Sequence, residues 1–212
     1  MGVFDWFGKR TKSDDAAIAL YRQVVRSHPE NPDAWCLLGV AYSKLDRHDD
    51  AIDAYRQVVR INPENALVWR DLGFAYGELN RHDDAIAAFR QALRINPEDA
   101  TAGYNLGVAY GTLKRHDDAI EAYRQVLRIY PMFADAWNSL WLAYANLKRY
   151  NDAIDACRQA LRINPEDADA WYNLGVAYHL SGNRTAALDT VRKLRRLDPA
   201  RGDRLFNLIV PR

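Results

Sequence analysis

Three histidines recur with a pair of carboxylates behind each: His48-Asp49-Asp50, His82-Asp83-Asp84 and His116-Asp117-Asp118. Imidazole and carboxylate can ligate zinc or move protons. The spacing argues against zinc. A zinc ion holds its ligands at about 2 Å from one point, whereas equivalent residues on neighbouring packed helices stand roughly 8–10 Å apart. Cys36 and Cys157 supply neither a metal-ligand spacing nor a disulfide framework, so a reducing, cytoplasmic setting is expected. The chain holds no glycine-rich phosphate loop, no nucleophile with a histidine at plausible spacing and no carboxylate pair in an apolar setting. No enzymatic activity, metal or cofactor is therefore expected.

Arginine forms a second ladder. Pairs four residues apart occur at Arg22 and Arg26, Arg56 and Arg60, Arg90 and Arg94, Arg124 and Arg128, Arg158 and Arg162, Arg192 and Arg196. Such a stripe on the convex side suits an acidic partner, an anionic membrane surface or nucleic acid. It equally suits a solvated face neutralised by Asp49, Asp50, Asp53, Asp155 and their equivalents. The whole chain carries a formal net charge of only +1, and no aromatic residues interleave the stripe, which argues against nucleic acid. Membrane association is not expected either. No apolar run approaches the roughly 18 residues that cross a bilayer, and "MGVFDWFGKR" places its charges after its apolar residues, unlike a secretory signal.

The elements that carry these ladders follow from one period. Pro63, Pro97, Pro131, Pro165 and Pro199 fall every 34 residues, as do Ala51, Ala85, Ala119, Ala153 and Ala187. Five units result: 32–65, 66–99, 100–133, 134–167 and 168–201. Trp35, Leu38, Gly39 and Tyr42 mark one face of a first helix; Ala51, Tyr55, Val58 and Val59 mark a second. The residue before each proline is pushed out of helical geometry, which ends the second helix. An all-α stack of antiparallel helix pairs follows, since one pair alone cannot cover its apolar surface. Residues 14–31 match a second helix without its partner, 1–13 form an aromatic and basic segment, and 202–212 read as a closing helix and tail. In that helix Leu205, Leu208 and Ile209 are expected to share the packed face. Phe4, Trp6 and Phe7 are expected to cover the lone first helix or a second copy of the chain.

The spacing of Trp35, Leu38, Gly39, Tyr42, Ala51, Tyr55, Val58 and Pro63 resembles the tetratricopeptide repeat, five times in register. The resemblance implies a right-handed superhelical solenoid whose first helices line a groove that binds a peptide or protein segment. Helical geometry leaves places two, five, nine and twelve of each first helix on the free side. Those places and the sixth give a candidate groove of Cys36, Val40, Arg70, Phe74, Tyr104, Asn105, Val108, Asn138, Leu142, Tyr172, Asn173, Val176 and His179. Their apolar, aromatic and amide composition suits a segment of another protein. The clamp with which some family members hold acidic chaperone tails is absent: where it needs lysine and arginine, this chain has Asp135 and Ser139. The leading rival is a self-assembling module that uses the incomplete N-terminal pair to form a homo-oligomer.

One unit departs from the pattern. "YPMFADAWNSLW" puts Tyr130, Met132 and Phe133 in a loop that elsewhere reads "NPEN" or "NPED", and Trp141 where other units have glycine. The aromatic place on the following second helix holds Cys157, so Trp141 reads as a volume-conserving core exchange. The loop trio is either an exposed contact patch or a filler beside Gly103, which lacks its unit's tryptophan.

Overall fold

The computed structural model describes residues 12–211. Among them are twelve helices and no strand: α1 Lys12–Ser27, α2 Pro32–Ser43, α3 His48–Ile61, α4 Ala66–Glu78, α5 His82–Ile95, α6 Ala100–Thr112, α7 His116–Ile129, α8 Ala134–Asn146, α9 Tyr150–Ile163, α10 Ala168–Leu180, α11 Arg184–Leu197 and α12 Pro199–Ile209. They pack in sequential antiparallel pairs and divide into two compact units, the division falling after Ala109 within α6. The expectation for Phe4, Trp6 and Phe7 lies outside the described residues.

In the first unit α2 packs on α3 and α4 on α5, while α1 and α3 each pack on the first helix that follows. The core holds the expected Leu38, Tyr42, Tyr55 and Val58 and their equivalents Leu72, Tyr76 and Phe89, all buried; Ile52, not expected from the spacing, is buried with them, and Val59 is half-buried. Side-chain caps start the first helices. Asn31 Oδ1 accepts from the Asp33 and Ala34 amides at 3.0 and 3.3 Å, and Asn65 Oδ1 accepts from Val68 N at 3.2 Å. Each satisfies an amide that the helix start leaves without a partner. The turns within pairs use a left-handed residue, Asp46 at φ 56° and Asn80 at φ 57°, after which the Arg47 and Arg81 amides return to the Tyr42 and Tyr76 carbonyls at 3.0 and 2.9 Å.

The second unit continues with α7 to α12, each packing on its successor. Its last pair is closed by α12, which packs on both α10 and α11. Val191 occupies the place that holds Tyr55 or Phe89 in the first unit, and it is too small to fill the space beside Gly175. Leu205 of α12 fills it instead, its Cδ2 lying 2.4 Å from where a Gly175 β-carbon would sit. The closing helix differs in two respects from the sequence expectation. It begins at Pro199, with Asp198 as its cap, and Leu208 is 44% exposed while Gly202, Leu205 and Ile209 are the buried residues. The reason is the approach of α11: a β-carbon on Gly202 would stand 2.9 Å from the Arg195 backbone nitrogen, so this residue sets the contact line.

Candidate binding faces on the first helices

None of the thirteen candidate groove residues is fully buried. In the first unit, Cys36, Val40, Arg70, Tyr104 and Asn105 are half-buried, and Phe74 and Val108 are exposed. Leu37 and Leu67 on the same helices are 48% and 57% exposed. Phe74 meets the Phe89 ring edge-on at 5.7 Å between centroids, which fixes its plane. Asn105 spends one amide hydrogen on the Thr101 carbonyl at 2.7 Å.

Arg70 is held between two carboxylates, Asp71 at 3.2 Å and Asp99 at 3.4 Å. Asp99 also caps α6, accepting from Ala102 N at 2.9 Å. Burial pushes the Asp71 carboxyl above its ordinary range, against the pull of the Arg70 guanidinium and with a push from Asp99. The Cys36 thiol is raised by burial and by the charges of Asp71 and Asp33, so it is a poor thiolate and a poor nucleophile. Asp71 was missed by sequence reasoning, which placed the sixth position at the groove's edge and did not name it in this repeat.

In the second unit, Asn138, Tyr172, Asn173, Val176 and His179 are half-buried, and Leu142 is 53% exposed. Asp169, on the same face of α10, is ion-paired with Arg201 of the closing helix. Trp141 is half-buried, and Cys157 is fully buried with its thiol raised by desolvation. The Trp141 Nε1 and Asn138 Oδ1 atoms are buried without a hydrogen-bond partner.

Tyr130 and Met132 are 43% and 70% exposed. Phe133 is half-buried and takes the N-cap place of α8, where it makes no side-chain cap bond. Asn31, Asn65, Asp99 and Asp167 occupy the same place before the other first helices and all accept amides. Trp35, Trp69, Trp137 and Trp171 each donate to the carbonyl of the proline six residues back, at 2.8 to 2.9 Å. These tryptophans were read from sequence as packed residues; they are half-buried loop anchors.

Members of the arginine ladder are engaged by the chain itself. Arg158 pairs with Asp155, one of the carboxylates expected to neutralise the stripe, at 3.5 Å, and Arg192 pairs with the equivalent Asp189; the tyrosine partners were not named from sequence. Arg22 Nε donates to Tyr42 OH at 2.6 Å, Arg56 Nε to Tyr76 OH at 3.1 Å and Arg158 to Tyr178 OH at 2.9 Å. Arg47, Arg81, Arg115 and Arg149 stack on Tyr42, Tyr76, Tyr110 and Tyr144 at 4.6 to 4.8 Å while pairing with the aspartate three residues on. The second arginines reach back a repeat: Arg60 to Glu30 at 2.9 Å and Arg94 to Glu64 at 3.1 Å. The histidines open their second helices. His48 is half-buried with Nε2 3.8 Å from Asp46 Oδ1, and among the described residues no group of three or more histidine, cysteine or acidic side chains is arranged to hold a metal. No helix of the described residues is long and apolar enough to cross a membrane.

Antiparallel pairs with a shared register of tryptophan, glycine, tyrosine and proline define a helical-repeat protein. A family model for the tetratricopeptide repeat matches residues 15–66 and 70–132, a model described as TPR repeat matches 142–182, and another tetratricopeptide repeat model matches 168–201. The chain belongs to the tetratricopeptide repeat family. Among solved structures it is similar to MamA at 31% identity and a TM-score of 0.70, over 73% of this chain and 91% of that one. It shares the fold of MamA from Desulfovibrio magneticus RS-1, with 19% identity, a TM-score of 0.71 and coverage of 87% and 96%. It also shares the fold of YrrB, described as a TPR protein with an unusual peptide-binding site, with 20% identity, a TM-score of 0.78 and coverage of 90% and 100%. A comparison with curated proteins found no match.

Proposed function

We propose that this chain is a non-catalytic scaffold that binds a peptide segment of another protein on the free faces of its first helices. The observation that carries the reading is the placement of apolar side chains. Leu67, Phe74 and Val108 in the first unit and Leu142 in the second remain 37% to 57% exposed on helices whose other faces are buried. Exposed apolar groups interspersed with amide and phenol groups suit an extended or helical segment. Membership of a repeat family used for protein interaction supports it, as does the peptide-binding description of YrrB. The arginine ladder supports an anionic partner less, because Arg22, Arg56 and Arg158 are hydrogen-bonded to tyrosine and Arg60 and Arg94 are paired with glutamate within the fold.

A random dodecapeptide library panned on the protein supplies the test. Recovered peptides are expected to lose at least about tenfold in affinity against a Tyr104→Ala, Tyr172→Ala variant, measured by calorimetry. Unchanged affinity across all recovered peptides overturns the reading.

Self-assembly is favoured by a different observation. Among the described residues no first helix precedes α1, and Leu20 on it is 57% exposed. Light scattering across a hundredfold dilution separates the two: a concentration-dependent mass supports assembly, and a constant monomer mass removes it.

A further inference from the structure

One open crevice recurs between the second helix of a repeat and both helices of the next. Its volume is about 540 Å³ at α1, α2 and α3, about 400 Å³ at α7, α8 and α9, and about 650 Å³ at α9, α10 and α11. In α10 its wall is Trp171, Leu174 and Tyr178, at places four, seven and eleven, whereas the proposed binding face uses places two, five, nine and twelve.

The crevice at α9, α10 and α11 departs from the other two in charge. Met132 stands where Glu30 and Glu64 stand, and those glutamates hold Arg60 and Arg94. Arg162, the equivalent arginine, therefore lacks a carboxylate one repeat back and donates to Gln159 Oε1 at 3.5 Å instead. Lys193 replaces Gln57 and Gln159 of the other crevices. Ala186 replaces Asp50 and Asp152, and Asn183 replaces Arg47 and Arg149, so the ion pair that stacks on Tyr42 and Tyr144 is missing beside Tyr178. At α7, α8 and α9 two arginines line the crevice with two aspartates. Here Arg158, Arg162 and Lys193 line it with one carboxylate, Asp189, which is already paired with Arg192. Among the described residues neither Arg162 nor Lys193 is ion-paired, both are exposed, and the Lys193 Nζ lies 5.9 Å from the Trp171 ring centroid. The floor beneath them is apolar: Leu161 and Leu174 are buried, and Trp171 is half-buried.

We propose that this crevice binds a glutamate-bearing segment of a partner protein, with a side-chain carboxylate on Arg162 and Lys193 and an adjoining large apolar side chain against Leu161, Leu174 and Trp171. The site is separate from the face formed by the first helices and does not rest on it. A guanidinium matches a carboxylate in shape and charge, and the crevice has the size of ordinary ligand sites. Its apolar floor suits an anion carried directly on hydrocarbon. A phosphate fits less well, since its second charge meets the Asp189 carboxylate and its oxygens meet a floor without donors.

The probes are N-acetylated, C-amidated octapeptides that place two glutamates beside a leucine or phenylalanine, with glutamine copies as controls and fluorescence polarisation as the readout. The glutamate peptides are expected to bind, the glutamine copies are not, and added salt is expected to weaken the complex. Met132→Glu returns the partner of Arg162, and Lys193→Gln returns the residue of the other crevices. Both restore side chains that this fold already carries elsewhere, so each is expected to melt no lower than the parent while binding about tenfold more weakly. Arg60→Gln, at the place equivalent to Arg162 but paired with Glu30, is expected to leave binding unchanged. So is the Tyr104→Ala, Tyr172→Ala variant, which separates this site from the first-helix face. If no octapeptide binds, or if Met132→Glu and Lys193→Gln bind as tightly as the parent, the site is overturned. Binding of phosphatidylserine vesicles or of a deoxyoligonucleotide that these two variants lose, with no octapeptide bound, overturns the assigned ligand.

Discussion

A β-carbon placed on Gly39 would lie 2.4 Å from Cε1 of Tyr55, so the ring on one helix occupies the volume that the glycine on the other leaves open. Gly73 and Phe89 repeat the relationship at 2.6 Å. In the fourth repeat these two places hold Trp141 and Cys157. The exchange puts the large side chain on the first helix and the small one on the second, at similar total volume. Trp141→Gly should destabilise by about 3 kcal/mol through the cavity it opens, and Cys157→Tyr should clash when made alone. The two together should recover much of the loss. Chemical denaturation of all four proteins checks this, and strict additivity would contradict the exchange.

Phe133→Asp should stabilise the protein. The substitution restores the cap that Asp99 and Asp167 provide before α6 and α10, for a gain of about 1 kcal/mol. A shift of the denaturant midpoint at unchanged slope is the expected reading. If Phe133 contributes to partner contact together with Tyr130 and Met132, the same variant should bind selected peptides or the native partner less tightly.

Lys148 adopts φ 57° at the turn between α8 and α9, and Gly182 adopts φ 82° at the corresponding turn of the next repeat. A side chain in the left-handed region costs roughly 1–2 kcal/mol, partly offset by the greater freedom of glycine in the unfolded chain. Lys148→Gly should therefore raise the midpoint of thermal unfolding, while Gly182→Lys should lower it.

The Asp71 carboxyl is raised chiefly by burial, so folding disfavours its charged form. Its contribution to stability is present below the ordinary carboxylate range and is lost as pH rises through the elevated value. Asp71→Asn mimics the protonated acid and leaves Arg70 its second partner, Asp99. The variant should be more stable than the parent at pH 7, with the difference shrinking toward pH 3.5. A stability gain independent of pH would exclude this cause.

The helices, their pairing and their register were legible because one pattern recurs at a fixed period. Each local choice, from the apolar spacing of Trp35, Leu38 and Tyr42 to the proline that ends each unit, agrees with the fold. What escaped were relationships across repeats. Arg22 and Tyr42 lie 20 residues apart, and only stacking of adjacent pairs brings guanidinium to phenol. The same applies to Arg60 and Glu30, and to Arg70 between Asp71 and Asp99. The lost cap at Phe133 had a visible signal, the alignment of Asn65, Asp99, Phe133 and Asp167, but its apolar character drew the reading toward contact instead. Leu208 failed because spacing gives a helical face and not the angle at which a neighbour meets it.

Hydrogen exchange with and without a library-selected peptide tests the central claim most directly. Slowed exchange in the first helices of a unit, α4 in the first or α8 and α10 in the second, with α3, α5 and α9 unchanged, is the predicted footprint of a segment lying on the first helices. Protection confined to the second helices would contradict it.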